Sequence, residues 1–291
     1  MKIALHAHKF NKDTIPYIQE VISILHAREI EITASQIFKK QAIKTGLEFP
    51  DFPEFNKFGS FPPHDAIISL GGDGTLLETV TYVKQAETPI LGINTGRLGF
   101  LANIAKNDIS RAMQSFFDKK FIYDNRTLLK LQTNKDVFGD NNFALNEFTI
   151  TKKDTSSMIT VKCYINGEYL NSYWADGLMI STPTGSTGYS LSCGGPVILP
   201  HSNNFVITPV SPHNLNVRPL IVPDESVISF VIESRGRNFL ASLDSRSHTV
   251  DSSVEMSVCR GDFKAKLIQL EGYSFLDTLR NKLNWGFDLR N

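Results

Sequence analysis

Gly71-Gly72-Asp73-Gly74 follows the apolar run Asp65-Ala66-Ile67-Ile68-Ser69-Leu70 and precedes Thr75-Leu76-Leu77-Glu78-Thr79-Val80. The order is strand, loop with almost no side chains, then helix. Glycines on both sides of Asp73 let the backbone turn sharply and let a large anion approach. The first turn of the helix offers N–H groups to phosphate oxygens. An aspartate in a pure phosphate cradle would repel its ligand. It makes sense if it binds a metal or accepts a proton from a hydroxyl beside the phosphates, and the plain alternative is a cap on a helix beginning near Thr75. Glu78, five residues on, is the neighbouring carboxylate and reads as an ordinary helix residue.

Two further segments bear on the choice. Asn146-Glu147 stands at the start of the run Phe148-Thr149-Ile150, where an amide beside a carboxylate can hold a base edge and a ribose hydroxyl; a simple turn is the other reading. Asp176-Gly177-Leu178-Met179-Ile180-Ser181-Thr182-Pro183-Thr184-Gly185-Ser186-Thr187-Gly188-Tyr189-Ser190-Leu191-Ser192 is dense in hydroxyls and glycines and contains no basic residue. Hydroxyls and N–H groups at Thr184–Thr187 can bind phosphate or ribose oxygens without a point charge. Tyr189 can stack on a base. A mere loop is the competing reading, and the run's position after a strand weighs against it.

The elements that must position these residues fall into two textures. Residues 2–7 and 30–34 read as short strands, and residues 13–27 as a helix with Ile15, Ile18, Ile22 and Leu25 on one face. Residues 46–63, broken by Pro50, Pro53, Pro62 and Pro63, read as a surface excursion. Strand 66–70, a helix over about 75–86, strand 89–93 and helix 109–117 then restore an alternation that argues for a parallel sheet. In such sheets ligands bind beyond the carboxyl ends of the strands, where Asp73 and Asn94-Thr95-Gly96 fall.

From about Tyr123 the runs 128–132, 148–151, 158–165, 178–182, 205–208, 226–233 and 254–260 are short, β-rich and separated by Gly, Asn, Asp and Pro. That pattern predicts a mostly antiparallel β domain. The expected fold is an α/β N-terminal domain, Rossmann-like with a parallel sheet, over 1–123. A mostly antiparallel β-sandwich follows over 124–260. A C-terminal segment, 261–291, carries a helix at 275–283 that packs back on the first domain.

Bulk properties set limits. A chain of 291 residues with 41% hydrophobic residues can bury a sizeable core, and 30 basic against 30 acidic residues give no global attraction to nucleic acid or to an anionic membrane. Cys163, Cys193 and Cys259 are widely spaced and read as free thiols in a reducing compartment. No apolar run approaches the ~20 residues that span a bilayer, so the expectation is a cytoplasmic protein with no membrane and no nucleic-acid partner. No carboxylate cluster has metal-site spacing, and the sequence assigns no metal ligands.

The combination of GGDGT at 71–75, NE at 146–147 and DGxxxSTPTGSTxYSxS at 176–192 resembles the NAD kinase family. The likeness extends to LGINTGRLGF at 91–100 and PHNLNVRP at 212–219. GGDG alone is shared with diacylglycerol, sphingosine and phosphofructokinases; the STPTGST segment is far more specific. The resemblance implies transfer of the γ-phosphoryl group of ATP to the 2′-hydroxyl of the adenosine ribose of NAD, giving NADP. It implies NAD and ATP as partners, Mg²⁺ or another divalent cation with the ATP, and a homodimer or homotetramer.

Carried over residue by residue, the resemblance makes Asp73 the proton acceptor, with Gly71, Gly72 and Gly74 lining its pocket. Asn146 and Glu147 hold the ribose and diphosphate region, and Asp176 contacts the nicotinamide end. Thr187, Gly188, Tyr189 and Ser192 surround the adenine and its ribose, Phe100 packs beside the adenosine, and Thr184 stays a nucleotide-binding candidate through its hydroxyl. Ser211 and His213 fall near the nicotinamide end or a subunit contact. Arg126 and Arg218 are the candidates for phosphates. Two positions depart from the family pattern: Gly188 stands where many members have alanine, and an LDGQ-like block reads Leu243-Asp244-Ser245-Arg246, so Asp244 is the one residue carried over from it. A lipid or sugar kinase would need an acyl channel or an arginine cluster, which the 176–192 run does not supply. A non-catalytic dinucleotide sensor would keep the pocket but lose Asp73, which is present.

Overall fold

Burial in the first third of the chain follows an alternation of fully apolar strands with one-sided helices. In a computed structural model of the protein, residues 1–56, 61–153, 157–233 and 238–285 are described. The elements run β1 (Lys2–His6), α1 (Ile15–Ala27), β2 (Glu31–Ser35), α2 (Gln36–Thr45), β3 (Glu54–Phe55), β4 (Ala66–Leu70), α3 (Asp73–Val83), β5 (Ile90–Asn94), β6 (Ile104–Ala105), α4 (Ile109–Phe117) and β7 (Phe121–Thr133). Next come β8 (Phe143–Ala144), β9 (Glu147–Lys152), β10 (Ile159–Ile165), β11 (Glu168–Ala175), β12 (Gly177–Ser181), α5 (Tyr189–Ser192), β13 (Asn204–Val210) and β14 (Leu220–Pro223). The chain ends with β15 (Ile228–Glu233), β16 (Asn238–Leu243), β17 (Arg246–Asp251), β18 (Met256–Leu270) and α6 (Phe275–Leu283). Two units result, Met1–Asn125 with Ala265–Asn291, and Arg126–Lys264.

In the first unit the strands pair in parallel in the order β3-β2-β1-β4-β5, and Leu267 of β18 pairs with Ile90 of β5. β4 and β5 are buried along their whole length, which is what a parallel sheet covered on both faces requires. α1 turns Ile18, Val21, Ile22 and Leu25 inward. Strand order reverses between β1 and β4, so the carboxyl ends of these two strands flank the switch point at which open α/β sheets bind ligands.

The second unit pairs its strands antiparallel: β14-β13-β12-β9-β16-β17 in one sheet, and β11-β10-β15-β18 in another. Leu129, Phe148, Ile150, Val161, Ile180, Phe205, Phe230 and Phe239 share one core cluster, and the Phe148 and Phe230 rings meet at 5.7 Å. The α/β sheet followed by a mostly antiparallel sandwich is the fold class expected.

Several local expectations change. Helix α3 begins at Asp73 and not near Thr75, and continues into a single 3-10 turn at Lys84–Ala86. The 46–63 stretch is not a surface excursion. Phe52, Phe55 and Phe61 are buried, rings at 49, 52, 55 and 61 pack on one another or on neighbours, and β3 extends the sheet beside β2. The prolines prevent long elements, but the apolar area of the phenylalanines still draws the segment inward. Residues 57–60 of that stretch lie outside the described residues. No helix among the described residues is long and apolar enough to cross a membrane, and the three cysteines are free thiols.

Candidate active site

In the first unit the site is built around the turn from β4 into α3. Gly71 N–H donates to Ile93 O at 3.0 Å, tying the turn to the end of β5. A Cβ on Gly71 would lie 2.3 Å from Thr75 Oγ1, so the tight turn excludes a side chain there. Thr75 and Leu76 N–H both bond Gly72 O, at 3.0 and 3.2 Å, which leaves the N–H groups of Asp73 and Gly74 at the open first turn, the position that suits an anion.

Asp73 does not cap its own helix. Gly72 is the N-cap residue and no side chain caps α3. The Asp73 carboxylate instead gathers three successive N–H groups from the loop after β5: Phe100 to Oδ2 at 2.8 Å, Leu101 to Oδ1 at 3.0 Å and Ala102 to Oδ1 at 2.9 Å. A carboxylate has about four lone-pair sites, so Oδ1 is filled while Oδ2 retains capacity for one more donor. A Cβ at position 99 would sit 1.9 Å from Asp73 Oδ1, which makes Gly99 a steric condition of this geometry. The Phe100 ring lies near the Phe275 ring of α6 at 6.5 Å, with Lys282 Nζ 5.9 Å above it.

Glu78 is not the ordinary helix residue that the sequence suggests. Its Oε2 lies 3.3 Å from Nε2 of the buried His6 and 2.5 Å from Nδ1 of His8, while His6 Nδ1 lies 2.8 Å from Ser35 Oγ. His6-x-His8 at the end of β1 puts both rings on one side of an extended chain, a signal that period-two reading could have found. Its carboxylate partner, more than seventy residues away, carries no local mark.

The second unit holds the remaining candidates. Asn146 and Glu147 sit where β9 begins, and their backbone is fastened from two sides. Thr182 N–H donates to Asn146 O at 2.9 Å and Thr182 Oγ1 to Leu145 O at 2.5 Å. From the β16–β17 turn, Asp244 accepts N–H groups from Leu145 (3.1 Å, Oδ2), Asn146 (2.8 Å, Oδ1) and Glu147 (3.3 Å, Oδ1). The side chains behave differently: Asn146 Oδ1 and Glu147 Oε2 are buried and have no hydrogen-bond partner among the described residues. Buried polar atoms are nearly always satisfied, so a pair of exceptions marks a place for ligand donors. Burial, aided by the nearby charge of Asp244, pushes the Glu147 carboxyl up to about 8.

The 176–192 run wraps this pair. β12 ends at Ser181, a 3-10 turn covers Gly185–Thr187, and α5 follows. A Cβ on Gly185 would meet Asn146 O at 2.1 Å, so that glycine admits close approach of the loop, while Gly188 lies beside Glu147 with a Cβ position 3.4 Å from Glu147 Oε2, an ordinary contact. The expectation that hydroxyls here grip a ligand is narrowed. Ser186 is fully buried and its hydroxyl donates to Pro183 O at 2.7 Å while accepting Ile198 N–H at 3.0 Å. Thr187 Oγ1 donates to Thr184 O at 3.3 Å, and Thr184 Oγ1 accepts from Arg126 Nη1 at 3.2 Å. These hydroxyls brace the loop. Arg126 is buried within that brace, while Arg218 donates to Leu215 O and Val217 O of its own loop.

Tyr189 keeps an exposed ring, available for stacking. Ser192 lies in the last turn of α5. Asp176 pairs with Lys152 Nζ at 2.7 Å, a partner supplied by β9 and invisible within its own run. The His213 ring lies tilted against Trp174 at 4.3 Å, and Ser211, two residues before it, adopts a positive φ of 45°.

Comparison with known proteins converges on one family. The profile described as the ATP-NAD kinase N-terminal domain matches residues 3–121, and that of the ATP-NAD kinase C-terminal domain matches residues 145–270. The chain is 50% identical to the NAD kinase of Cytophaga hutchinsonii and 43% identical to that of Flavobacterium johnsoniae, covering 100% of this chain and of each relative. It is similar in fold to yeast NADH kinase solved with NADH, with a TM-score of 0.86 and 23% identity over 99% of this chain and 89% of that one. The NAD kinase of Archaeoglobus fulgidus, solved with ATP, gives a TM-score of 0.72 and 23% identity over 98% of each chain. With both domain profiles matched in order and full-length relatives at this identity, the chain belongs to the NAD kinase family of phosphotransferases.

Proposed function

We propose that this protein transfers the γ-phosphoryl group of ATP to the 2′-hydroxyl of the adenosine ribose of NAD, with Asp73 as the general base. The observation that carries the reading is the full-length identity to NAD kinases, 50% to that of Cytophaga hutchinsonii. The geometry of Asp73 supports the finer role. Phosphoryl transfer is mostly positioning and charge stabilisation, yet a secondary hydroxyl must shed its proton as it attacks. Asp73 Oδ2 accepts one N–H bond and keeps a lone pair for such a hydroxyl, while Oδ1 is held by two. Three backbone donors fix the carboxylate without any side chain that could swing away. The first-turn N–H groups of Asp73 and Gly74 suit the phosphate oxygens that lie next to the reacting hydroxyl.

Asn146 and Glu147 receive the dinucleotide in this reading. Their unpartnered oxygens call for hydroxyl or amide donors, which ribose and nicotinamide both offer. Gly188 opens the loop beside them, Tyr189 stacks on the base, and Asp176 and His213 take the nicotinamide end. Among the described residues no three His, Cys, Asp or Glu side chains converge as metal ligands. The described residues thus offer no three-ligand cage for the divalent ion that the resemblance implies with ATP. The same resemblance implies a homodimer or homotetramer, which gel filtration at several loading concentrations would check.

The test is direct. Purified protein with ATP, Mg²⁺ and NAD should yield NADP, read by an NADP-specific coupled dehydrogenase, and no product above background would sink the reading. Asp73→Asn should lower kcat by about 10²- to 10⁴-fold with NAD affinity kept within a few-fold. An equal loss of affinity would instead give Asp73 the role of loop anchor alone.

A further inference from the structure

The turn joining β16 to β17 consists of two residues, Asp244-Ser245, and Asp244 occupies the left-handed region at φ 52°. Two-residue hairpins ask for positive φ, and Asn-Gly or Asp-Gly with a solvated side chain meets that need. Here the side chain is turned inward instead. The Asp244 carboxylate is buried, accepts three successive N–H groups from Leu145, Asn146 and Glu147, and lies 3.6 Å from Arg246 Nη2. The Asp244 N–H in turn donates to Glu147 O at 2.9 Å. Arg246 reaches the segment that leads into this pair from the other end of the turn, donating to Asn141 O and to Phe143 O of β8. Burying a carboxylate and partly burying a guanidinium beside it is an expensive way to close a hairpin, and the turn geometry requires neither.

We propose that Asp244 and Arg246 form a clamp that pre-sets the Asn146–Glu147 pair for the dinucleotide, making both positioning residues and not ligand contacts. The inference rests on the reading that this pair binds NAD. Asp244 fixes the peptide N–H groups of residues 145–147 and Arg246 the carbonyls of 141 and 143. Thr182 closes the opposite side. The main chain of the pair is thus fully engaged, and its side-chain oxygens are presented without a competing protein partner. A site held this way loses no ordering entropy when ligand arrives. The clamp also has an electrical consequence. Among the described residues, Asp244 from the hairpin and Cys193 after α5 couple electrostatically with Glu147, and Arg246 stands beside Asp244. The charge of Asp244 is one cause that holds the Glu147 carboxyl high.

The experiment measures NAD binding by calorimetry on the full chain without ATP, the KM values for NAD and ATP, and the pH dependence of NAD binding. Wild type is compared with Asp244→Asn and Arg246→Gln. An amide at 244 offers one acceptor oxygen and turns an NH₂ toward backbone donors, so Asp244→Asn should weaken NAD binding about 10- to 100-fold. The KM for ATP should stay within about twofold. The inflection that Glu147 gives to NAD binding should move to lower pH, because a neighbouring negative charge has gone. Arg246→Gln, which keeps the hairpin carboxylate, should weaken NAD about tenfold. Unchanged NAD affinity in both variants overturns the clamp. So does a common decline of NAD affinity, KM for ATP and Tm with the inflection in place, which is the mark of a purely structural role. A wild type that neither binds NAD nor forms NADP overturns the functional reading as well, whereas an active wild type with unaffected variants overturns the clamp alone.

Discussion

Asp73 and Asp244 each collect three successive peptide N–H groups, and the difference between them lies in what each oxygen has left. Asp244 has two N–H bonds on Oδ1, and on Oδ2 one N–H bond plus the Arg246 guanidinium. Asp73 has the same count of N–H bonds, and among the described residues no cation stands at its second oxygen, which suits a proton acceptor. The arrangement depends on a residue with no side chain: Gly99 faces Asp73 Oδ1 so closely that a Cβ would stand 1.9 Å away. Gly99→Ala should therefore displace the carboxylate and lower kcat by about 10²-fold while NAD affinity, measured by calorimetry, stays near wild type. Glu147 supplies a second prediction at this scale. Its carboxyl titrates near 8 in the folded protein against an ordinary 4.5, so the fold retains a proton that the unfolded chain releases. Stability must then fall as pH rises from about 4.5 to about 8 and level off above it. Glu147→Gln removes that slope. Melting curves from pH 5 to 9 should show the variant gaining on wild type as pH rises, and a parallel pair of curves would refute the assignment.

At the scale of elements, capping and burial decide which segments were visible in advance. Ser35 ends β2 and caps α2: its hydroxyl accepts Phe38 N–H at 3.1 Å and meets His6 Nδ1 at 2.8 Å. Ser35→Ala should cost about 1–2 kcal/mol, read as a lower denaturant midpoint at constant m-value. Helix α2 itself escaped the sequence reading because Gln36–Thr45 buries only Phe38 and Ala42, too few for a periodic stripe. Helix α4 is legible because Ile109, Met113 and Phe116 share one face, and α6 occupies the 275–283 span expected for it, with a Ser274 cap that only the structure reveals. Strand β11 was missed because Glu168–Ala175 buries only Tyr173 and Ala175. The far half of β18 was missed because Arg260, Asp262, Lys264 and Lys266 interrupt its apolar residues. The site divides in the same way. Asp73, Asn146 and Glu147 announce themselves by type and setting. Their anchors are backbone N–H groups and residues such as Thr182, Arg246 and Lys152, which act across pairings that no local pattern encodes.

At the scale of the molecule, the chain leaves its first unit after Asn125 and returns at Ala265. The returning segment is part of that unit's interior: Leu267 pairs with Ile90 of β5, and Ile268 and Leu270 join its core cluster. Beyond it, α6 buries only Thr278 and Leu279, yet it lies against the loop that Asp73 holds, through Phe275 beside Phe100 and Lys282 donating to Leu98 O. The two parts of the C-terminal segment therefore carry different loads, and truncation should separate them. A chain ending at Glu271 keeps the inner strand and should fold with a cooperative transition at lower Tm. Its kcat should fall because the 98–102 loop loses its backing, while NAD affinity, which we propose rests chiefly on Asn146 and Glu147, should hold. A chain ending at Lys264 removes Leu267, Ile268 and Leu270 from the first unit, where deleting each buried aliphatic side chain costs about 2–5 kcal/mol. Hydrogen exchange at the amides of β4 and β5 should then lose its protection, while the strands of the second unit retain theirs. Equal protection of β5 in both truncated chains would show that the returning strand is dispensable to the first unit's core.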